Sequence, residues 1–409
     1  MTRPCIFILA ICSLLYSNAL AQFPSNLQKG QQVDISFTYV NGFMVVPVVF
    51  NGIFSLNFIF DTGAEHTILA HRQITDLLQI NYQRRFTLLG ADLSTELYAY
   101  LAPDISLKVG QVVARRRPIL VLEEDYMRFS DYAGMEIAGI LGADFFRQYV
   151  VEIDYERRRI TLHNPSGYQA PDGFKRIDID VKRSKPYLTA RTAFKSGQTK
   201  ELTFLLDSGA ALPLMINLDT QPELQLPERV VPANLGHGLG GFLVGYKGRL
   251  KELSMPPFAF REVVCSFQDR SSLPVRDSSL LDQRNGIIGN KILERFTVII
   301  DYFREDLYLK PNRHYSDAFD FDRSGMLLVA GGPNLTHFYI YSVLDDSPAR
   351  SAGLQPGDRI MRINWMPASM LTLESINERL KKRPGKKIRM VVKRDGKRLR
   401  KTLILRDLL

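Results

Sequence analysis

The stretch Phe58-Ile59-Phe60-Asp61-Thr62-Gly63-Ala64 returns later in the chain as Phe204-Leu205-Leu206-Asp207-Ser208-Gly209-Ala210, an offset of 146. A second pair sits in almost the same register. Gly139-Ile140-Leu141-Gly142, followed by Ile153-Asp154-Tyr155, is matched by Gly286-Ile287-Ile288-Gly289, followed by Ile300-Asp301-Tyr302. Two motifs sharing one spacing to within a residue mark a duplicated lobe. Around them lie short β-branched and aromatic runs: Phe43–Phe50, Ser55–Phe60, Val150–Asp154 and Arg159–His163 in the first copy, and Leu188–Ala193, Glu201–Leu206, Thr297–Asp301 and Leu307–Lys310 in the second. Asn51-Gly52 and Ser196-Gly197 supply turns between them. Helical pattern is confined to pieces such as Asp144–Gln148 and Lys291–Glu294, so the class is mainly β, with two duplicated lobes.

An apolar strand that runs into Asp-Thr/Ser-Gly delivers a carboxylate at a buried strand end. It adds a hydroxyl able to bond neighbouring backbone, and a glycine that lets another chain approach closely. One such tripeptide is an ordinary turn. Two, placed equivalently in duplicated lobes, predict a pseudo-twofold site that brings Asp61 and Asp207 together. Carboxylates about 3 Å apart cannot both ionise; they hold one proton between them, one acting as base and the other as acid. Such a pair can activate water against an amide carbonyl without a metal or a covalent intermediate.

These residues resemble the two active-site loops of retropepsin-like and pepsin-like aspartic proteases, over roughly residues 31–312. The resemblance implies two β-barrel lobes, with Asp61 and Asp207 as the catalytic dyad and Gly63 and Gly209 in its loops. It further implies cross-lobe hydroxyl hydrogen bonds from Thr62 and Ser208, and close packing at Gly142 and Gly289 beneath the loops. Such proteases carry a flap hairpin over the cleft. The places for one are Thr87–Tyr100 and Leu235–Gly248, and only the second is glycine-rich, with Gly236, Gly238, Gly240 and Gly241; it reads either as a flap or as a surface loop. Tyr98 and Tyr100 are expected on a core face. The second loop continues Ala211-Leu212-Pro213 where the first has Glu65-His66-Thr67, an inequality between the lobes.

After Pro311 the pattern changes. Ser347-Pro348-Ala349-Arg350-Ser351-Ala352-Gly353-Leu354-Gln355-Pro356-Gly357-Asp358-Arg359-Ile360 resembles a bacterial PDZ domain over 318–409, a small α+β module. Thr372 caps a helix expected over Leu373–Arg383, and Asp395-Gly396 closes a hairpin of Lys386–Lys393 with Lys397–Leu405. By that resemblance a peptide groove lies between Met326–Ala330 and the helix. Ser324, Gly325, Met326 and Leu327 would offer N–H groups to the carboxylate of a C-terminal peptide ligand.

The N-terminus reads as an export signal: Arg3, an apolar run from Cys5 to Leu15, and Ala19-Leu20-Ala21 at a cleavage site. The expected division is signal 1–21, lobe one 22–170, lobe two 171–312, joined through Pro165–Gly173, and the PDZ-like module 318–409. Cleavage leaves Cys265 as the remaining cysteine of three, a buried thiol by its apolar neighbours. No other run matches the roughly 20 apolar residues of a bilayer span. Of 409 residues, 53 are Lys or Arg and 43 are Asp or Glu, a net charge of +10. From Arg313 onward there are 19 basic and 10 acidic residues, so nine of those charges belong to the last module. Its bases alternate with apolar residues as on a half-buried sheet, without the aromatic interleaving of a single-strand nucleic-acid platform, so no nucleic acid is expected. The six histidines are scattered, and no metal or cofactor is expected. The composite expectation is an exported aspartic endopeptidase acting on a peptide or protein substrate. The competing reading, from another class, is a protease fold without activity that serves as a peptide-binding scaffold through its PDZ-like module.

Overall fold

In the computed structural model, residues 27–89, 96–238, 241–270 and 284–409 are described. Each lobe holds one sheet of eight strands. In lobe one the order is Thr38–Val40, Phe43–Phe50, Phe54–Phe60, Gly139–Leu141, Ile68–Leu69, Val112–Leu122, Glu96–Val109, Arg84–Leu89, and Phe43–Phe50 also pairs with Glu96–Val109 to close the barrel. Lobe two repeats it as Asp180–Lys182, Lys185–Ala193, Thr199–Asp207, Gly286–Gly289, Leu214–Asn217, Phe258–Gln268, Gly241–Met255, Val230–Gly238, closed by Lys185–Ala193 against Gly241–Met255. The duplication seen in two motifs thus extends to every strand position.

A six-stranded sheet joins the lobes, and at its centre Val150–Asp154 of one lobe lies antiparallel to Phe296–Asp301 of the other. These strands are buried on both faces for most of their length, through Val150, Val151, Ile153 and Phe296, Val298, Ile299, Ile300, which is what a sheet inside a joint core requires. One continuous apolar core consequently runs through both lobes, with Phe60 stacked on Phe146 at 4.2 Å near its middle. Asn51 and Gly52 both have positive φ, the turn geometry that matches strand twist in a two-residue hairpin. The short helices expected near Asp144 and Lys291 form as Ala143–Phe146 and Asn290–Leu293, lobe one adds Arg72–Leu77 and Phe129–Ala133, and Cys265 is a free, buried thiol whose pKa burial pushes up.

Two expectations need correction. The core face of Glu96–Val109 is formed by Leu97 and Ala99, and Tyr98 and Tyr100 lie on the other, half-buried side. There the Arg85 guanidinium covers the Tyr98 ring at 3.8 Å, while the Tyr100 hydroxyl donates to Glu123 at 2.8 Å. Strand alternation was read in the wrong phase because an amphipathic ring and an alanine compete for one inward position. The PDZ helix ends at Leu380, short of Arg383. Pro384 disfavours helical backbone at the residue before it.

The C-terminal module has its own core and a sheet ordered Met326–Gly331, His337–Val343, Arg359–Ile363, Lys387–Arg394, Lys397–Ile404. Helix Leu373–Leu380 is capped by Thr372, whose Oγ1 accepts the Ser375 N–H while Ser375 Oγ accepts the Thr372 N–H, both at 3.1 Å. Ile376 and Leu380 face inward. Among the described residues no helix is long and apolar enough to cross a membrane.

Candidate active site

Asp61 follows the strand Phe54–Phe60, and Asp207 ends Thr199–Asp207. Each strand is held by a parallel neighbour from the second motif: Phe60 is in register with Leu141, and Asp207 with Gly289. The pseudo-twofold axis therefore brings the two strand ends together, and the hydroxyls complete the join. Thr62 N–H donates to Ser208 Oγ and Ser208 N–H to Thr62 Oγ1, both at 3.0 Å. Thr62 Oγ1 donates onward to the Leu206 carbonyl at 2.7 Å, and Ser208 Oγ to the Phe60 carbonyl at 2.8 Å. Both side chains are buried with every polar atom partnered, so the pairing is directional and costly to break.

The glycines next in sequence set the closeness of approach. A Cβ on Gly63 would stand 2.6 Å from the Asp207 carboxyl carbon, and one on Gly209 would collide with the Asp61 carboxyl. Each carboxylate is oriented by its own loop. Asp61 Oδ1 accepts the N–H groups of Gly63 at 2.7 Å and Ala64 at 3.1 Å, and Asp207 Oδ1 accepts that of Gly209 at 2.9 Å. With each loop glycine pressed against the opposite carboxyl, the two acids lie close enough to share one proton rather than carry two charges. Burial, then the charge of Asp207, hold the Asp61 carboxyl well above the usual carboxylate range. Burial raises Asp207 as well, but the Arg284 cation opposes the rise. Burial thus raises both carboxyls, and the cation opposes it at Asp207, so the two environments are unequal.

Gly142 and Gly289 lie beneath the loops. A Cβ at Gly142 would press on His66 and Thr67 backbone, and one at Gly289 on the carbonyls of Leu212 and Ala210. Above them Ala143 N–H donates to the Ala64 carbonyl at 2.8 Å and Asn290 N–H to the Ala210 carbonyl at 2.9 Å, one equivalent bond per lobe. The lobes differ in how the side chains buttress this. In lobe one Thr67 Oγ1 donates to Asp144 Oδ1 at 2.7 Å and accepts the Gly142 N–H at 3.2 Å. In lobe two Pro213 takes the place of Thr67, and the Gly289 N–H goes to its carbonyl at 3.0 Å. There the buried Asn290 ties the pieces together, donating to the carbonyls of Ser208 at 2.5 Å and Gly42 at 2.8 Å while Tyr155 donates to its Oδ1 at 2.7 Å. Thr67, Asp144 and Asn290 were missed because the repeat replaces each with an unrelated residue. Arg284 was missed for the same reason: its counterpart position in lobe one is Ile137.

The dyad opens on a cavity of about 1440 Å³. Its lining includes the apolar Ile68 and Ile140 from lobe one and Leu212, Met215 and Ile287 from lobe two, together with charged residues such as Lys185 and Arg284. The glycine-rich segment is a hairpin in which Gly236 opposes Leu243 and Gly238 opposes Gly241; Gly240 lies outside the described residues. Leu235 and Leu243 of this hairpin line the cavity. The other flap position, Thr87–Tyr100, includes residues outside those described. In the PDZ groove the expected N–H donors have partners within the chain. Asp322 Oδ2 accepts from Ser324 at 3.2 Å and Gly325 at 2.6 Å, and Ser324 Oγ accepts from Met326 at 3.1 Å. Leu327 sits in the strand, in register with Ser342.

Residues 46–145 and 192–292 each match the aspartyl protease family model, and residues 339–394 match that of the PDZ domain. Tax1-binding protein 3 of Homo sapiens and that of Mus musculus are each 39% identical to this chain over 58 residues, 14% of this chain and 47% of theirs. The chain thus spans about half the length of the curated relatives it matches. With the repeat, the symmetric lobes and the family matches in agreement, the chain carries a duplicated pair of aspartyl protease family lobes followed by a PDZ domain.

Proposed function

We propose that this chain is an exported aspartic endopeptidase. The observation that carries the reading is the meeting of Asp61 and Asp207 across the lobe axis, each carboxyl held by its own loop N–H groups and pressed by the opposite loop glycine, on one cavity. A substrate lies extended across the cleft beneath the hairpin around Gly238 and Gly241. Water between the carboxyls attacks the scissile carbonyl carbon. Its proton passes to Asp207 while Asp61 gives its own to the carbonyl oxygen, forming a neutral gem-diol. Collapse returns a diol proton to Asp61, breaks the C–N bond, and delivers the Asp207 proton to the leaving nitrogen. Arg284 supports the division of labour by favouring the charged form of Asp207.

The Asp61→Asn and Asp207→Asn variants, assayed on a peptide library beside the wild type, are each expected to lose about 10²–10⁴-fold in kcat/KM. Cleavage that survives both substitutions refutes the dyad, and a wild type that cleaves nothing in the library favours the scaffold reading. Export after removal of residues 1–21 belongs to the same proposal. N-terminal sequencing of the exported protein is expected to begin at Gln22, and a retained Met1 would contradict it.

A further inference from the structure

The PDZ module is built against the site rather than beside it. Asn377 of its helix donates to Asn41 Oδ1 at 3.1 Å, and Asn41 in turn donates to the Ala133 carbonyl at 3.0 Å. Next to Asn41, Gly42 accepts from Asn290 of lobe two, so one hairpin tip touches both lobes and the module. From lobe two, Arg249 donates to the Phe319 carbonyl at 3.2 Å and the Lys247 ammonium sits 5.6 Å from the Phe321 ring centre. The lobe-one helix Phe129–Ala133 packs against the edge strand Met326–Gly331, and a Cβ at Gly134 would stand 3.1 Å from Leu373 Cβ and 4.0 Å from Ala330 Cβ.

Both ends of the peptide groove are thereby in use. Lobe one fills the end at Leu373 and Ala330. At the other end the Asp322 carboxylate already occupies the N–H groups of Ser324 and Gly325, in the place where backbone donors would capture a terminal carboxylate. Between those ends the module presents a short apolar face, Leu327 and Leu344 with Met326 and Leu328 behind, bordered by the polar helix residues Glu374, Glu378 and Lys381, and all of it lines the same cavity as Asp61 and Asp207.

We propose that the PDZ module is a third wall of the catalytic cleft: Leu327 and Leu344 receive an apolar side chain of the extended substrate at a position away from the scissile bond, and the module does not capture free peptide C-termini. This rests on the endopeptidase reading above. The occupant is the substrate's own chain because the face shares one cavity with the dyad, whereas a peptide bound elsewhere in the groove would meet Gly134 and Asp322.

The test uses the full chain and a peptide library with free and with amidated C-termini. Leu327→Glu and Leu344→Glu are each expected to reduce selection of apolar residues at one distal position by about tenfold, through KM with kcat retained, the loss of roughly one apolar contact. Free and amidated peptides should be cleaved equally well. Cleavage profiles of both variants that superimpose on the wild type would overturn the proposal, as would free acids bound tenfold or more tighter than their amides. If the wild type cleaves nothing, the endopeptidase reading fails on its own. Fluorescence anisotropy of the same peptides then reads the wall: weaker binding of apolar peptides by the variants supports it, and unchanged binding overturns it.

Discussion

At the scale of single residues, Asp61 and Asp207 were legible because the motif that carries them occurs twice in the same setting. What it could not state is which of the two keeps the proton. That depends on burial and on Arg284, a residue without a counterpart in the repeat. The asymmetry has a consequence for stability. The Asp61 pKa is raised in the fold, so its contribution is fully present below the unfolded carboxyl pKa and is lost as pH rises through the folded value. Asp61→Asn removes the cost of burying a second negative charge. Its Tm should therefore exceed that of the wild type at neutral pH, and the gap should close as pH falls below the ordinary carboxyl range. A gap that is the same at every pH would show that the shift is not electrostatic.

At the scale of elements, the strand positions followed from short β-branched runs, and the turns from Asn-Gly and Asp-Gly pairs. Tyr98 and Tyr100 were misplaced because a tyrosine satisfies either face of a strand, packing its ring and freeing its hydroxyl. The helix end at Leu380 was overrun because basic residues continue the pattern up to Pro384. The strand pair beneath each loop depends on close backbone contact, which Gly289 permits. Gly289→Ala is expected to destabilise the protein by about 1–3 kcal/mol through overpacking, measured by denaturant unfolding. It should also lower kcat, since the Asp207 strand is registered against Gly289. An alanine variant with wild-type stability would mean the loops can part without cost.

At the scale of the whole molecule, the duplicated architecture could be inferred from the repeat, because two lobes of one ancestry must meet across an axis. The placement of the PDZ domain could not. Its contacts with Asn41, Gly134 and Arg249 join residues 70 to 336 positions apart, and no local pattern encodes them. The net charge of +10, mostly gathered in the last module, likewise gives no sign that this module supplies part of the lining of the cavity that holds the two acids. The central claim is that these acids form one proton-sharing unit that hydrolyses peptides. The most direct measurement is the pH dependence of kcat/KM on a single peptide substrate. The predicted profile is a bell: it rises at low pH as Asp207 ionises, and falls at a pH above the ordinary carboxylate range as Asp61 loses its proton. A rate that climbs through one ionisation and stays level to alkaline pH would contradict it.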